Sequence, residues 1–173
     1  FDRLERIDVE GNSEFDTETI LGKVNLIKGQ FLRPQSFDAI RKRLVTAYEE
    51  KGYMLVHVVF ETAPDSSAPG RSVLTVVINE GPEVQVAAVT FSGNSRFDEG
   101  DLKGAMDEIS EKKWWKFWSS ANFDRKKFAK DSLAILALYH ESGYLDAEII
   151  SDSMWYNESR DEMFIHMNID EGK

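Results

Sequence analysis

The chain has 173 residues, of which 42% are apolar and 30% are charged, a balance typical of a folded protein with room for one domain or two small ones. The absence of Cys excludes disulfides, thiolate metal sites and thiol nucleophiles. Its 31 acidic and 21 basic residues give a net charge of −10, which disfavours binding to nucleic acid or to an anionic membrane surface. Because the chain begins with Phe1, we expect it to be part of a longer protein from which any export signal has been removed.

The first predicted elements are a strand and two helices. Ile7 and Val9 alternate with acidic residues, a pattern that predicts a half-buried strand. Gly11–Asn12 predicts the turn that follows, because both residue types tolerate a positive φ. Asp16 and Ser36 are predicted as the N-caps of the two helices.

Two strands are predicted after the second helix, which Gly52 is placed to end. They cover Met54–Phe60 and Ser72–Ile78, and a turn-rich segment at 63–67 separates them. The order strand, helix, helix, strand, strand predicts two helices packed on one face of a three-stranded mixed sheet, which is an α+β domain.

The second half of the chain repeats the landmarks of the first half in the same order. Gly-Asn-Ser-x-Phe-Asp begins at Gly11 and again at Gly93, an offset of 82 (93 − 11). Tyr-x-x-x-Gly-Tyr ends at Tyr53 and again at Tyr144, an offset of 91 (144 − 53), and Glu-Gly recurs at the same offset. Three ordered landmarks indicate a duplication, so we predict two modules, residues 1–82 and 83–173.

In the second module, helix caps are predicted at Asp98 and Asn122, and the last two strands at Leu145–Ile150 and Met163–Ile169. If consecutive elements run in alternate directions, the third strand of each module lies at the centre of its sheet, between the first and the second. The second strand then forms an edge with unpaired backbone groups.

This tandem βααββ pattern resembles POTRA domains, the periplasmic modules of outer-membrane β-barrel assembly proteins of the BamA type. The features that carry the resemblance are the Gly-Asn after the first strand, the Tyr-x-x-x-Gly-Tyr after the second helix and the terminal Glu-Gly. They recur in both halves, so the resemblance covers the whole chain as two modules.

The resemblance implies a periplasmic binding and scaffold role without catalysis. Such modules receive unfolded outer-membrane protein segments by β-augmentation, in which a client strand pairs with an exposed sheet edge. They also dock partner lipoproteins or adjacent modules. The resemblance further implies a connection to the outer membrane through a C-terminal barrel beyond Lys173.

The resemblance places client binding on the second strand of each module. The residues in the second module are Leu145, Asp146, Ala147, Glu148, Ile149 and Ile150. The residues in the first module are Met54, Leu55, Val56, His57, Val58 and Val59.

The alternation of the first module's strands predicts an apolar patch on its outer sheet face. Leu55, Val59, Val73 and Val77 point outward in this pattern, on a face that water normally covers. Two interpretations stay open: the neighbouring copy or the loop Pro64–Pro69 covers the patch, or it is a partner or client site.

An aromatic segment lies between the two helices of the second module, at Trp114, Trp115, Phe117 and Trp118. It is interpreted as a packing plug, as a contact with an adjacent module or partner, or as a shallow insertion into a membrane interface.

Nothing in the sequence indicates a catalytic, metal or cofactor site. The three His residues lack ligand spacing, no Gly-rich phosphate loop is present, and the basic run Arg41-Lys42-Arg43 is interpreted as a solvated helix face. An alternative within the family is the POTRA pair of a two-partner-secretion transporter, which recognises one exported substrate. A KH-like nucleic-acid-binding module would need a basic Gly-x-x-Gly loop, which the chain lacks.

Overall fold

The computed structural model describes residues 2–109, 111 and 122–172. The elements are β1 (Arg3–Glu10), α1 (Thr17–Val24), α2 (Pro34–Glu49), β2 (His57–Pro64), β3 (Arg71–Asn79), β4 (Gln85–Ser92), α3 (Glu99–Ala105), α4 (Arg125–Glu141), β5 (Glu148–Tyr156) and β6 (Glu162–Asp170). The chain forms two compact units, Phe1–Glu49 with Tyr53–Gly81 and Glu50–Gly52 with Pro82–Lys173. The order β-α-α-β-β occurs twice, which confirms the predicted α+β fold class. Among the described residues, no helix is long and apolar enough to span a membrane.

Each module has one three-stranded mixed sheet, with strand order β1-β3-β2 in the first and β4-β6-β5 in the second. The central strand pairs parallel with the first strand and antiparallel with the second. The predicted order, with the second strand at an edge, is therefore confirmed. The first strand of each sheet carries an extra residue at the same place, Glu5 in β1 and Ala87 in β4.

The first helix of each module begins where the sequence predicts. The Asp16 carboxylate accepts a hydrogen bond from the Thr19 N–H at 2.7 Å. The Asp98 carboxylate accepts one from the Asp101 N–H at 2.8 Å, and the Asp101 side chain accepts one from the Asp98 N–H, which completes a capping box.

The second helices begin elsewhere, so the caps predicted at Ser36 and Asn122 are wrong. The helix α2 starts at Pro34, whose fixed φ and missing N–H suit the first helical position. The helix α4 is capped by Asp124, whose carboxylate accepts from two N–H groups of the first turn.

The core of the first module lies between its two helices and one face of its sheet. The buried residues of this core on α1, α2 and β3 are Ile20, Val24, Ile40, Leu44, Tyr48, Leu74, Val76 and Ile78. The second module buries the corresponding Leu102, Ile135, Tyr139, Ile165, Met167 and Ile169. The i, i+4 spacing on α2 thus turns one apolar stripe toward alternate residues of the central strand.

The repeated sequence landmarks converge on one cluster in each module. The Tyr48 hydroxyl donates to the Glu80 carboxylate at 3.0 Å, and its ring packs edge-on against Phe15 with ring centroids 4.9 Å apart. The Asn12 side chain donates to the Phe15 carbonyl at 2.9 Å. Burial, and then the hydrogen bond to Glu80, raise the pKa of Tyr48 well above its ordinary value.

The second module repeats this cluster with matching geometry. The Tyr139 hydroxyl donates to Glu171 at 3.1 Å, the Phe97 ring lies 4.9 Å from the Tyr139 ring, and the Asn94 side chain donates to the Phe97 carbonyl at 3.0 Å. The landmarks are therefore structural: they tie the first turn, the second helix and the end of the third strand together.

Candidate functional site

The second strand of each module lies at a sheet edge but begins later than the sequence predicts. The edge strand β2 starts at His57 and β5 starts at Glu148. The residues that precede them, in turns rather than in the strands, are Met54, Leu55, Val56, Leu145, Asp146 and Ala147. A hydrogen bond from the Ala147 N–H to the Tyr144 carbonyl, at 3.2 Å, closes this turn in the second module.

The remaining predicted edge residues lie within the edge strands. These are His57, Val58, Val59, Glu148, Ile149 and Ile150. Both strands also extend beyond the prediction, to Pro64 and Tyr156.

The strand β5 contains a β-bulge at Ile150. Ile149 lies opposite Ile169 and Ser151 lies opposite Asn168, so Ile150 has no partner residue on β6. A single extra residue reverses the side-chain alternation beyond it. Trp155 therefore faces away from the helices, whereas an uninterrupted alternation from Ile149 would have turned it toward them.

The hydrogen-bonding pattern shows which backbone groups of β5 face outward. The Asn157 N–H donates to the Glu162 carbonyl at 3.0 Å, which marks a hydrogen-bonded pair. Such pairs recur every second residue in an antiparallel ladder. The N–H and C=O groups of Asp152, Met154 and Tyr156 therefore point away from β6, and within the described ranges they have no hydrogen-bond partner.

The outer face of the second sheet consists of three rows that run across its strands. Their members are Trp155, Phe164 and Ala88 in the first row, Ser153, His166 and Thr90 in the second, and Ser151, Asn168 and Ser92 in the third. The first row is apolar, and the Trp155 and Phe164 rings stack with centroids 5.8 Å apart and planes 10° apart. Trp155 is nevertheless 48% exposed.

The other two rows are polar and hydrogen-bonded. The hydroxyls of Thr90 and Ser92 lie 2.8 and 3.0 Å from the two ring nitrogens of His166. The Ser92 hydroxyl also donates to the Asn168 side chain at 3.1 Å. The outer face thus combines one aromatic row with a hydroxyl-rich remainder.

The edge of β2 is partly occupied by the module's own side chains. The Arg41 Nε donates to the outward-facing Val58 carbonyl at 3.1 Å, and its guanidinium lies 5.4 Å from the centre of the Phe60 ring. Asp38 holds the same guanidinium through a 2.6 Å salt bridge. Further along the edge, Pro64 has no N–H to offer.

Sequence reasoning missed the role of Arg41. A basic residue on a helix flank is typical of a solvated surface, and no sequence signal places it over a strand edge. Only the tertiary packing of α2 against β2 does so.

The apolar patch predicted on the first sheet is smaller than expected. Val59 lies directly opposite Val77 on the outer face, and Val59 is 38% exposed. Val73 is only 7% exposed, and Leu55 lies in the turn before β2. The contact of Val59 and Val77 with a partner stays a prediction.

A salt bridge crosses the outer face beside Val73. The Arg6 guanidinium, on β1, reaches the Asp65 carboxylate at 3.3 Å, beyond the far end of β2. Hydrogen bonds from the Ser67 hydroxyl and N–H, followed by the Arg6 charge, hold the pKa of Asp65 below its ordinary value.

The predicted aromatic site at Trp114, Trp115, Phe117 and Trp118 lies outside the described residues. In the part of the chain that the structure describes, no three His, Asp or Glu side chains are grouped so that they could hold a metal ion.

Comparison with known proteins identifies both halves of the chain. The POTRA family, described as the surface antigen variable number repeat, matches residues 3–81 and 84–172. The outer membrane protein assembly factor BamA of Neisseria meningitidis is 26% identical over 105 residues, which cover 61% of this chain and 13% of that protein. BamA of Nitratidesulfovibrio vulgaris is 22% identical over 173 residues, which cover 98% of this chain and 21% of that protein.

A solved structure has the same fold as the chain. The crystal structure of POTRA domains 3–5 of Haemophilus influenzae BamA superposes with a TM-score of 0.61 at 16% identity, over 99% of this chain and 67% of that one. The chain therefore spans a small part of the two BamA relatives and about two thirds of this POTRA structure.

Proposed function

Because the chain belongs to the POTRA family and carries one module in each half, we propose that it is a periplasmic binding part of a BamA-type outer-membrane protein assembly factor. It receives unfolded outer-membrane protein segments by β-augmentation, and β5 is the edge that receives them. The role is binding without catalysis. Lipoproteins and adjacent modules are its further proposed partners.

The single observation that carries this proposal is the open edge of β5. Asp152, Met154 and Tyr156 direct six backbone groups outward, where a visiting strand would satisfy them. Exposed backbone of this kind pairs with an extended chain of almost any sequence. Such pairing suits a binder that handles many clients.

The contrast with β2 supports the choice of β5. A strand that added to β2 would have to displace Arg41 from the Val58 carbonyl and would find no donor at Pro64. Within the described residues, no side chain hydrogen-bonds to the outward backbone groups of β5 in this way.

The test replaces Asp152 by Pro. Asp152 is exposed and its N–H points away from β6, so Asp152→Pro removes one outward donor while the β5–β6 hydrogen bonds remain. Asp152→Ala is the matched control, since it removes the carboxylate and keeps the N–H. The probe is a synthetic peptide that copies one transmembrane strand of an outer-membrane barrel protein, with binding measured by fluorescence anisotropy of the labelled peptide.

We expect Asp152→Pro to weaken peptide binding roughly three- to tenfold relative to Asp152→Ala, because one main-chain hydrogen bond is lost and the ring obstructs its neighbour. Circular dichroism and thermal melting establish that both variants fold. Equal binding by the two folded variants would show that β5 is not the receiving edge.

A further inference from the structure

We propose that Trp155 makes the edge of β5 selective: it favours a visiting strand that carries an aromatic residue directly opposite it. This inference rests on the proposed function and assigns that edge a preferred ligand class. Main-chain pairing alone would accept any extended chain, whereas the outer face of the second sheet is chemically uneven along the edge.

The first step is the position of Trp155 on the edge. Its own N–H and C=O groups point to β6, so an antiparallel visitor would meet Trp155 in a non-hydrogen-bonded pair. Side chains in such pairs are the closest in an antiparallel sheet, with Cα atoms about 4.5 Å apart. The visiting residue opposite Trp155 would lie on the outer face and against the indole.

The second step is the chemistry of the row that the visitor would extend. Ala88, Phe164 and Trp155 form an apolar row across the sheet, and the last two rings already stack with planes 10° apart. Trp155 remains 48% exposed at the end of this row. A visiting aromatic ring would continue the row and cover that surface.

The third step is the contrast with the neighbouring positions. From Trp155 toward the bulge, the next residues of β5 with side chains on the outer sheet face are Ser153 and Ser151, in rows with His166 and Asn168. On the other face, the visitor would meet Met154 and then the exposed carboxylate of Asp152. An antiparallel visitor is therefore favoured when it has, in order, an aromatic, an apolar, a hydroxyl, a basic and a hydroxyl residue.

The experiment uses two nine-residue peptides on the whole chain. One contains Tyr-Val-Thr-Lys-Thr at its centre, and the other replaces only the Tyr by Ser. We expect the wild-type chain to bind the Tyr peptide about three- to tenfold more tightly, which is the range for an aromatic pair. Isothermal titration calorimetry measures both affinities.

Two variants assign the difference to the indole. We expect Trp155→Ser to bind both peptides with equal affinity and Trp155→Tyr to keep most of the preference, because Tyr retains an aromatic ring. A preference that persists in folded Trp155→Ser would overturn the inference. If Trp155→Ser does not fold, the inference is overturned when either the wild-type chain or Trp155→Tyr shows no preference for the Tyr peptide.

The outcomes also separate this inference from the proposed function. Equal binding of the two peptides by wild type, with Asp152→Pro still weakening both relative to Asp152→Ala, overturns the selectivity and leaves the edge in place. No binding of either peptide at concentrations up to about 1 mM overturns the edge itself.

Discussion

At the scale of single residues, two glycines explain why the Gly-Asn landmark recurs. Gly11 and Gly93 have φ of +80° and +78°, directly after the first strand of each module. A Cβ on Gly11 would lie 2.0 Å from the Ile78 carbonyl oxygen, and one on Gly93 would lie 1.9 Å from that of Ile169. The first turn therefore packs so closely against the third strand that only glycine fits.

We expect Gly93→Ala to lower the free energy of unfolding of the second module by about 2 kcal/mol or more, since the backbone of Ile169 must move and the φ is unfavourable for Ala. The measurement is urea unfolding, followed by amide resonances of the second module. Gly104→Ala is the control, because Gly104 lies in α3 with open space around it and gains helix propensity. Similar losses in both variants would contradict the close-packing explanation.

At the scale of elements, the two edge strands differ although their modules share one topology. The contacts of Arg41 with Val58, Phe60 and Asp38 close one part of β2. Native proteins commonly protect edges with charged side chains and Pro. The edge of β2 has both, Arg41 from α2 and its own Pro64. Within the ranges that the structure describes, the edge of β5 is instead interrupted only by its bulge at Ile150.

We expect Arg41→Met to open β2. In the Asp152→Pro background, where we expect β5 to bind poorly, this substitution frees the Val58 carbonyl while a long apolar side chain still covers Phe60. Binding of the transmembrane-strand peptide should then recover about two- to fivefold, the effect of one regained main-chain hydrogen bond. Arg43→Met, on the exposed side of the same helix, should recover none. If Arg41→Met folds and binds the peptide no better than Arg43→Met, Arg41 does not block strand pairing at the edge of β2.

At the scale of the whole molecule, lowered carboxyl pKa values connect the stability of the first module to pH. The Lys28 hydrogen bond, and then Arg71, hold the pKa of Glu5 below its ordinary 4.5, and Ser67 and Arg6 hold that of Asp65 below 3.8. Both residues belong to the first module. When folding lowers a carboxyl pKa, the unfolded state takes up protons first as the pH falls. The stabilisation of the folded state by that carboxylate is therefore complete at neutral pH and is lost as the pH falls through the lowered pKa.

We therefore expect the urea midpoint of the first module to fall as the pH drops below 4.5, with the change continuing below 3.8. Amide resonances of each module, recorded in urea at several pH values, separate the two transitions. Asp65→Asn should be less stable at neutral pH and should lose less on acidification, because its side chain cannot titrate. An unchanged pH dependence in Asp65→Asn would exclude Asp65 as a contributor.

Most of the fold could be predicted from the sequence, because the same order of sequence landmarks occurs twice in the chain. The landmarks at Gly11, Tyr48 and Glu80 recur in order, and Asp16 caps α1 as its residue type predicts. The start of each edge strand could not be predicted: Leu145 and Ala147 alternate with polar residues like a strand, but a local hydrogen bond folds them into a turn.

The site was less predictable than the fold for a physical reason. Edge location follows from element order, whereas the occupation of an edge depends on long-range contacts such as that of Arg41 with Val58. A bulge also leaves no mark in the sequence. The outward direction of Trp155 consequently emerged only with the register of β5 on β6.

The extra residue at Ile150 also limits how firmly β5 can hold a visitor. A regular strand can stay in step with β5 only from Ser151 to Tyr156, because the alternation changes on the other side of Ile150. The segment that can pair with β5 is therefore short, and a short paired segment dissociates quickly. In the proposed function, so short a pairing favours transient binding of a client strand over its retention.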